Sequence, residues 1–196
     1  MNEDKVQEKI SEKPIEAAAL TKENKDTDSK NLNEQSKSLN MPSHLMPQDF
    51  TQFFSNLKEK AMQSPLYSHV IENGGRSYEG EIVDAKKHGV GTLFTENGET
   101  YEGQWKDNQM EGFGRYNFSN GDIYVGSFVR GKPNGHGKKH YSYTRNIYEG
   151  NWKEGKAIGQ GTFYISSEEK VFKGEFWDCS LHGFGQMTSS AEKYIG

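Results

Sequence analysis

From Tyr78 to the end of the chain, apolar and polar positions alternate with a period of two, and the alternation recurs every 22–24 residues. Units open at Tyr78, Tyr101, Tyr124, Tyr148 and Phe172, and Tyr194-Ile195-Gly196 begins a sixth. In the second, Tyr101, Gly103 and Trp105 share one parity with Glu102 and Gln104 between them, the pattern of one strand face. A loop follows, then a strand opening Gly-x-Gly (Gly112, Gly114) and continuing on the same parity through Tyr116 and Phe118. Each unit therefore predicts a β-hairpin. Asn97-Gly98 and Asn120-Gly121 predict two-residue turns between units.

Glycine weakens a strand, so its regular recurrence on the aromatic face needs a cause. Rings from neighbouring strands lying over positions without a Cβ would supply it, and ring-on-glycine packing would then set the register. The expected fold is all-β: an elongated, single-layered antiparallel sheet of tandem hairpins in which each unit touches only its neighbours.

Upstream the period changes. Phe50, Phe53, Phe54, Leu57 and Ala61 fall at helical spacing, which predicts an amphipathic helix within 45–66 whose apolar side docks on the sheet. Residues 67–77 read as the second strand and turn of a degenerate leading copy. Residues 1–44, rich in Lys, Glu, Asn and Ser, read as a disordered tail.

Tyr-x-Gly-x-Trp, a loop, then Gly-x-Gly resembles the MORN repeat (membrane occupation and recognition nexus), and the resemblance covers 78–196. Ile82 replaces the strand aromatic in the first copy, Phe172 replaces the opening Tyr in the fifth, and Lys139 breaks the apolar parity of the third. The resemblance implies a non-enzymatic scaffold that holds partner proteins at cytoskeletal, ciliary or membrane-associated structures. It also implies two alternatives, an anionic phospholipid (phosphoinositide) binding module and a regulatory piece of a larger enzyme.

Composition narrows the chemistry. Only 32% of the 196 residues are hydrophobic, yet 12% are aromatic and 22 are glycine, which suits a flat repetitive sheet better than a large core. A net charge of −4 disfavours nucleic acid as a partner. The single cysteine, Cys179, leaves no internal disulfide. The opening MNEDKVQEKI has no apolar signal core and no run reaches bilayer length, so the expectation is a soluble, cytoplasmic protein. RGKPNGHGKKHY (Arg130–Tyr141) has the look of a phosphate loop, but its glycine spacing and flanking strand are wrong for one. Neither Cys179 and His182 nor the scattered histidines form a catalytic or metal constellation, so no catalytic residue, metal or cofactor is expected.

Three surfaces remain as binding candidates, beside the helix docking face Phe50, Phe53, Phe54 and Leu57. The glycine-aromatic face, lined by Tyr101, Trp105, Tyr124, Phe128, Tyr148 and Trp152, is open in a single layer and would take a partner helix or extended peptide. The N-terminal helix in cis, or a second copy of the chain, are the other candidate covers. On the opposite parity, Phe113, Val129, Trp177 and Phe184 form a second apolar surface. The third copy holds Arg130, Lys132, Lys138, Lys139 and Arg145 with no acid, a candidate patch for peripheral contact with an anionic membrane.

Overall fold

The computed structural model describes residues 51–189 and the backbone of 193–195. The tail and Phe50 lie outside the described residues. Helix α1 (Thr51–Met62) is followed by twelve strands: β1 (Tyr67–Glu72), β2 (Arg76–Val83), β3 (Lys86–Phe94), β4 (Thr100–Lys106), β5 (Gln109–Asn117), β6 (Ile123–Val129), β7 (Lys132–His140), β8 (Ile147–Lys153), β9 (Lys156–Ile165), β10 (Lys170–Trp177), β11 (Ser180–Ser189) and β12 (Lys193–Ile195). They form one open antiparallel sheet in sequence order, β1 to β12, as the alternation predicts.

The turns are distributed differently from the Asn-Gly expectation. The two-residue turns lie inside the units, at Asp84-Ala85, Asp107-Asn108, Arg130-Gly131, Glu154-Gly155 and Asp178-Cys179, all with positive φ at both positions. The second residue of each later turn also reaches back one hairpin; Asn108 N–H donates to Lys87 O and Gly131 N–H to Met110 O. Between units the loops are longer. Thr95 N–H donates to Glu99 O and Phe118 N–H to Asp122 O, so Asn97-Gly98 and Asn120-Gly121 sit within three-residue loops, with Gly98 (φ 82°) and Gly121 (φ 85°) left-handed. The 24-residue units instead end in four-residue loops, closed by Tyr141 N–H to Asn146 O and by the Ile165–Lys170 pair.

The core is the glycine-aromatic face. Glycines pair across strands (Gly80–Gly91, Gly103–Gly114, Gly126–Gly137, Gly150–Gly161), and a tyrosine ring lies over each pair. A Cβ at Gly161 would stand 2.6 Å from the Tyr148 hydroxyl, so no side chain fits beneath the ring. After each pair the register shifts by a β-bulge. The tyrosine hydroxyl donates to the carbonyl three residues on: Tyr78 to Glu81, Tyr101 to Gln104, Tyr124 to Ser127 and Tyr148 to Asn151, at 2.9–3.2 Å. One side chain thus covers the bare backbone and satisfies a carbonyl at the irregular point.

The rings also connect the hairpins. Tyr78, Trp105, Tyr101, Phe128, Tyr124, Trp152, Tyr148 and Phe176 make an unbroken edge-to-face line, with successive centroids 4.8–5.5 Å apart. Trp105 and Trp152 donate their indole N–H to Gly91 O and Gly137 O of the preceding hairpin, each at 3.0 Å. Lys139, out of place in the sequence pattern, is accommodated at the edge of this face. Its ammonium lies 5.0 Å from the Phe118 ring centroid and 4.7 Å from that of Tyr141, and it pairs with Asp122 at 3.1 Å.

Candidate interaction surfaces

The six aromatics expected to line an open groove are the protein's own core. Tyr101, Tyr124, Phe128 and Tyr148 are at most 2% exposed, Trp105 and Trp152 are 5% exposed, and the described helix is not docked on them. Ring packs on ring and on glycine closely enough that a single layer buries its own apolar face. Burial drives the Tyr148 hydroxyl up to about 12; burial and, after it, the hydrogen bond to Glu99 do the same for Tyr116.

The basic residues of the third copy do not converge. Lys138 and Lys139 are neighbours on a strand and point to opposite faces. Lys138 is buried on the outer face and pairs with Glu149 at 3.3 Å, whereas Lys139 is held by Asp122 on the inner face. Lys132 pairs with Glu154 at 2.8 Å beside the hairpin turn that holds Arg130, and Arg145 lies in the loop at the other end of the strands. A single anionic-ligand patch is therefore not assembled.

The outer face, opposite the rings, is where the helix sits. The helix thus docks on the sheet, but on the face opposite the one for which it was a candidate cover in cis. Phe54, 1% exposed, stacks on Phe113 with centroids 5.9 Å apart and planes at 6°, and Phe53 meets the same ring edge-on at 5.5 Å. The Arg115 guanidinium lies 5.4 Å from the Phe54 centroid. Phe54, Leu57, Lys58 and Ala61 line the contact together with Val90, Thr92, Glu79 and Glu102 of the sheet. Burying a phenylalanine contributes about 2–3 kcal/mol, so the ring contact, more than the surface charges, holds the helix.

A line of cross-strand partners runs along this outer face: Glu79, Thr92, Glu102, Arg115, Val125, Lys138, Glu149, Thr162, Lys173 and Gln186. The glutamates that follow the opening aromatics belong to it and are paired: Glu79 with Lys58 (2.9 Å), Glu102 with Arg115 (2.8 Å) and Glu149 with Lys138 (3.3 Å). The hydrogen bond from Lys58 holds the Glu79 carboxyl below its ordinary range, and Glu79 in turn raises Lys58.

The second apolar surface is real in parity but uneven in exposure. Phe113 is beneath the helix and Val125 is buried, while Val129 is 39%, Trp177 68% and Phe184 82% exposed. Sequence reasoning missed Val90, Lys58 and Arg115 as members of the helix contact. The available signal was the middle residue of Gly-x-Gly: apolar in β3 and β5 (Val90, Phe113), polar in β7 and β9 (His136, Gln160), and apolar again in β11 (Phe184).

Cys179 is not a reactive constellation either; its sulfur accepts the Ala157 N–H at 3.3 Å and ties the fifth turn to the fourth hairpin. Among the described residues no cluster of three His, Cys, Asp or Glu could hold a metal ion, and no helix is long and apolar enough to cross a membrane.

Repeated hairpins, glycine pairs under tyrosines and one continuous ring line define a tandem-hairpin repeat protein. The MORN repeat model matches residues 78–100, 101–123, 124–142 and 148–167, four consecutive MORN repeats. The fifth hairpin, β10–β11, continues the sheet beyond the matched residues with Phe172 in place of the tyrosine. No curated protein sequence matches the chain significantly. MORN repeats indicate a scaffold family, generally non-enzymatic and often binding protein or membrane.

Proposed function

We propose that this protein is a non-enzymatic scaffold that holds partner proteins on the outer face of its sheet, at cytoskeletal, ciliary or membrane-associated structures. The observation that carries the reading is the seat of α1: the outer face already binds a helix, through Phe54 on Phe113, while the aromatic face is closed on itself. The expected groove partner, a helix or extended peptide, moves accordingly to the opposite surface. The phospholipid alternative loses its support in the separation of Lys138 from Lys139 and in their pairing with Glu149 and Asp122.

The test is site-specific photocrosslinking of the full chain in its native cells. A photoreactive residue at Thr162, on the outer face, is expected to give protein adducts that a probe at Tyr143, exposed in an inter-unit loop, does not. Adducts from Tyr143 alone, or none from either position, would remove the proposal.

A further inference from the structure

The footprint of α1 is repeated farther along the sheet. Beneath and beside the helix lie Glu79, Val90, Thr92, Glu102, Phe113 and Arg115, drawn from β2 to β5. Three hairpins on, β8 to β11 put Glu149, Gln160, Thr162, Lys173, Phe184 and Gln186 in the same places. The glutamate, the threonine and the phenylalanine between two glycines are kept. The first footprint is occupied; among the described residues no helix lies on the second, and Phe184 is 82% exposed. Trp177 stands in the position that Lys106 holds in the second hairpin, and it is 68% exposed on the same face. The intervening hairpins carry His136 and Gln160 in the phenylalanine position, so the ring returns only at the far end. Two large exposed aromatics on one hairpin face are the composition of a binding hot spot.

We infer that Phe184 and Trp177 form a second helix seat, filled by an amphipathic helix of another protein that stacks a ring on Phe184 and presents a carboxylate to Lys173. The inference rests on the outer face being the docking surface. Charge defines the partner. In the first seat, Lys58 of the helix pairs with Glu79 and also feels Glu102. In the second, Glu149 is engaged by Lys138, and exposed Lys173 replaces Glu102, so the preferred sign on the incoming helix reverses. The loss of Val90 to Gln160 moves the apolar centre of the seat toward the hairpin tip, where Trp177 supplies it.

The molecule provides its own probe. A fluorescein-labelled peptide of residues 50–63 carrying Lys58→Glu keeps the α1 rings and reverses the charge. Its anisotropy is expected to saturate on titration with the full chain. Phe184→Ser and Trp177→Ser are each expected to weaken binding at least tenfold, about the effect of losing one interfacial aromatic. Because both rings are exposed, these variants should melt at the wild-type temperature. Lys173→Glu should weaken the Lys58→Glu peptide and favour the unsubstituted one. Absence of saturable binding, indifference to Phe184→Ser, or dependence on Phe113 alone would overturn the proposal. Concentration-dependent self-association abolished by Phe184→Ser would also overturn it, by giving the seat to a second copy. Outer-face crosslinks from Thr162 together with failure of the peptide would leave the scaffold reading standing and remove this one.

Discussion

The second hairpin, β4–β5, and the fifth, β10–β11, hold equivalent places in the sheet and are closed by different means. In the second, the Tyr101 ring lies on Gly103 and Gly114, its hydroxyl caps Gln104 O, and Trp105 bonds back to Gly91 O. Its outer face carries α1 on Phe113. In the fifth, Phe172 and Phe176 have no polar tip, and among the described residues the ring line ends at Phe176. The atoms nearest a Cβ at Gly185 are backbone atoms of Lys173 and Gly174, not a ring. Its outer face is uncovered at Phe184 and Trp177. The pleat and the paired glycines are common to both, so they make the hairpin. The tyrosine clasp, present in the first four hairpins, covers the glycine pair and satisfies a carbonyl at the bulge, and the fifth hairpin does without it.

The largest test of that difference puts one methyl group into each glycine pair. At Gly114 the new Cβ would stand 2.5 Å from Tyr101 Cε2, so the ring must leave the backbone it covers. Overpacking of this kind costs about 3 kcal/mol. At Gly185 the nearest atom is Lys173 O at 3.0 Å, and the neighbour has to give only slightly. There the strain is partly offset by the smaller backbone freedom of alanine in the unfolded chain, leaving a net change within about 1 kcal/mol. Urea midpoints of Gly114→Ala and Gly185→Ala measure the contrast. Equal losses at the two sites would break the distinction between a clasped and an unclasped hairpin.

Much of the architecture was legible because its determinants are local and repeated. Tyr101, Gly103 and Trp105 state the strand, its buried face and the ring-on-glycine contact within five residues. The turns were harder. Asp107-Asn108 and Asp178-Cys179 adopt positive φ without glycine, so the tight turns carry little sequence signal, while Asn97-Gly98 advertises a turn that proves one residue longer. The binding surfaces were read least well. Whether the face lined by Tyr101 and Trp152 is a groove or a core depends on how closely rings from successive hairpins interlock, a property of three-dimensional spacing. Lys138 and Lys139 read as one patch along the chain, but the pleat sends them to opposite faces, where Glu149 and Asp122, 11 and 17 residues away, neutralise them. The seat of α1 joins Phe54 to Phe113, and nothing local to either residue names the other.

A smaller effect separates the hydroxyl from the ring. Tyr101→Phe keeps the packing and removes only the bond to Gln104 O, for an expected loss of about 1 kcal/mol. The reciprocal change, Phe172→Tyr, adds a hydroxyl to a ring that does not lie over its glycine pair, and the expected change is within about 0.5 kcal/mol. Denaturant midpoints again decide. If Phe172→Tyr stabilises by as much as Tyr101→Phe destabilises, the missing hydroxyl is the whole difference between the hairpins, and the ring's position is irrelevant.

The smallest effect concerns the covered outer face. Lys58 and Glu79 are side-chain exposed by 37% and 28%, and an ion pair so placed is worth about 0.5 kcal/mol after solvent screening. Its pH dependence has a definite sign. Glu79 is held below its ordinary 4.5, so its contribution is fully present above 4.5 and is lost as the pH falls through the lower folded value. Lys58 is held above its ordinary 10.5, so its contribution is fully present below 10.5 and is lost as the pH rises through the higher folded value. Hydrogen exchange of the α1 amides in wild type and Glu79→Gln is therefore expected to differ modestly near neutral pH and to converge at strongly acid pH. The Phe54–Phe113 stack is unaffected by either condition, so the helix should remain seated throughout. Complete loss of α1 protection on acidification, with the sheet still folded, would show that charge, and not the ring, fills the first seat. The same reasoning would then demote Phe184 in favour of Lys173 at the second.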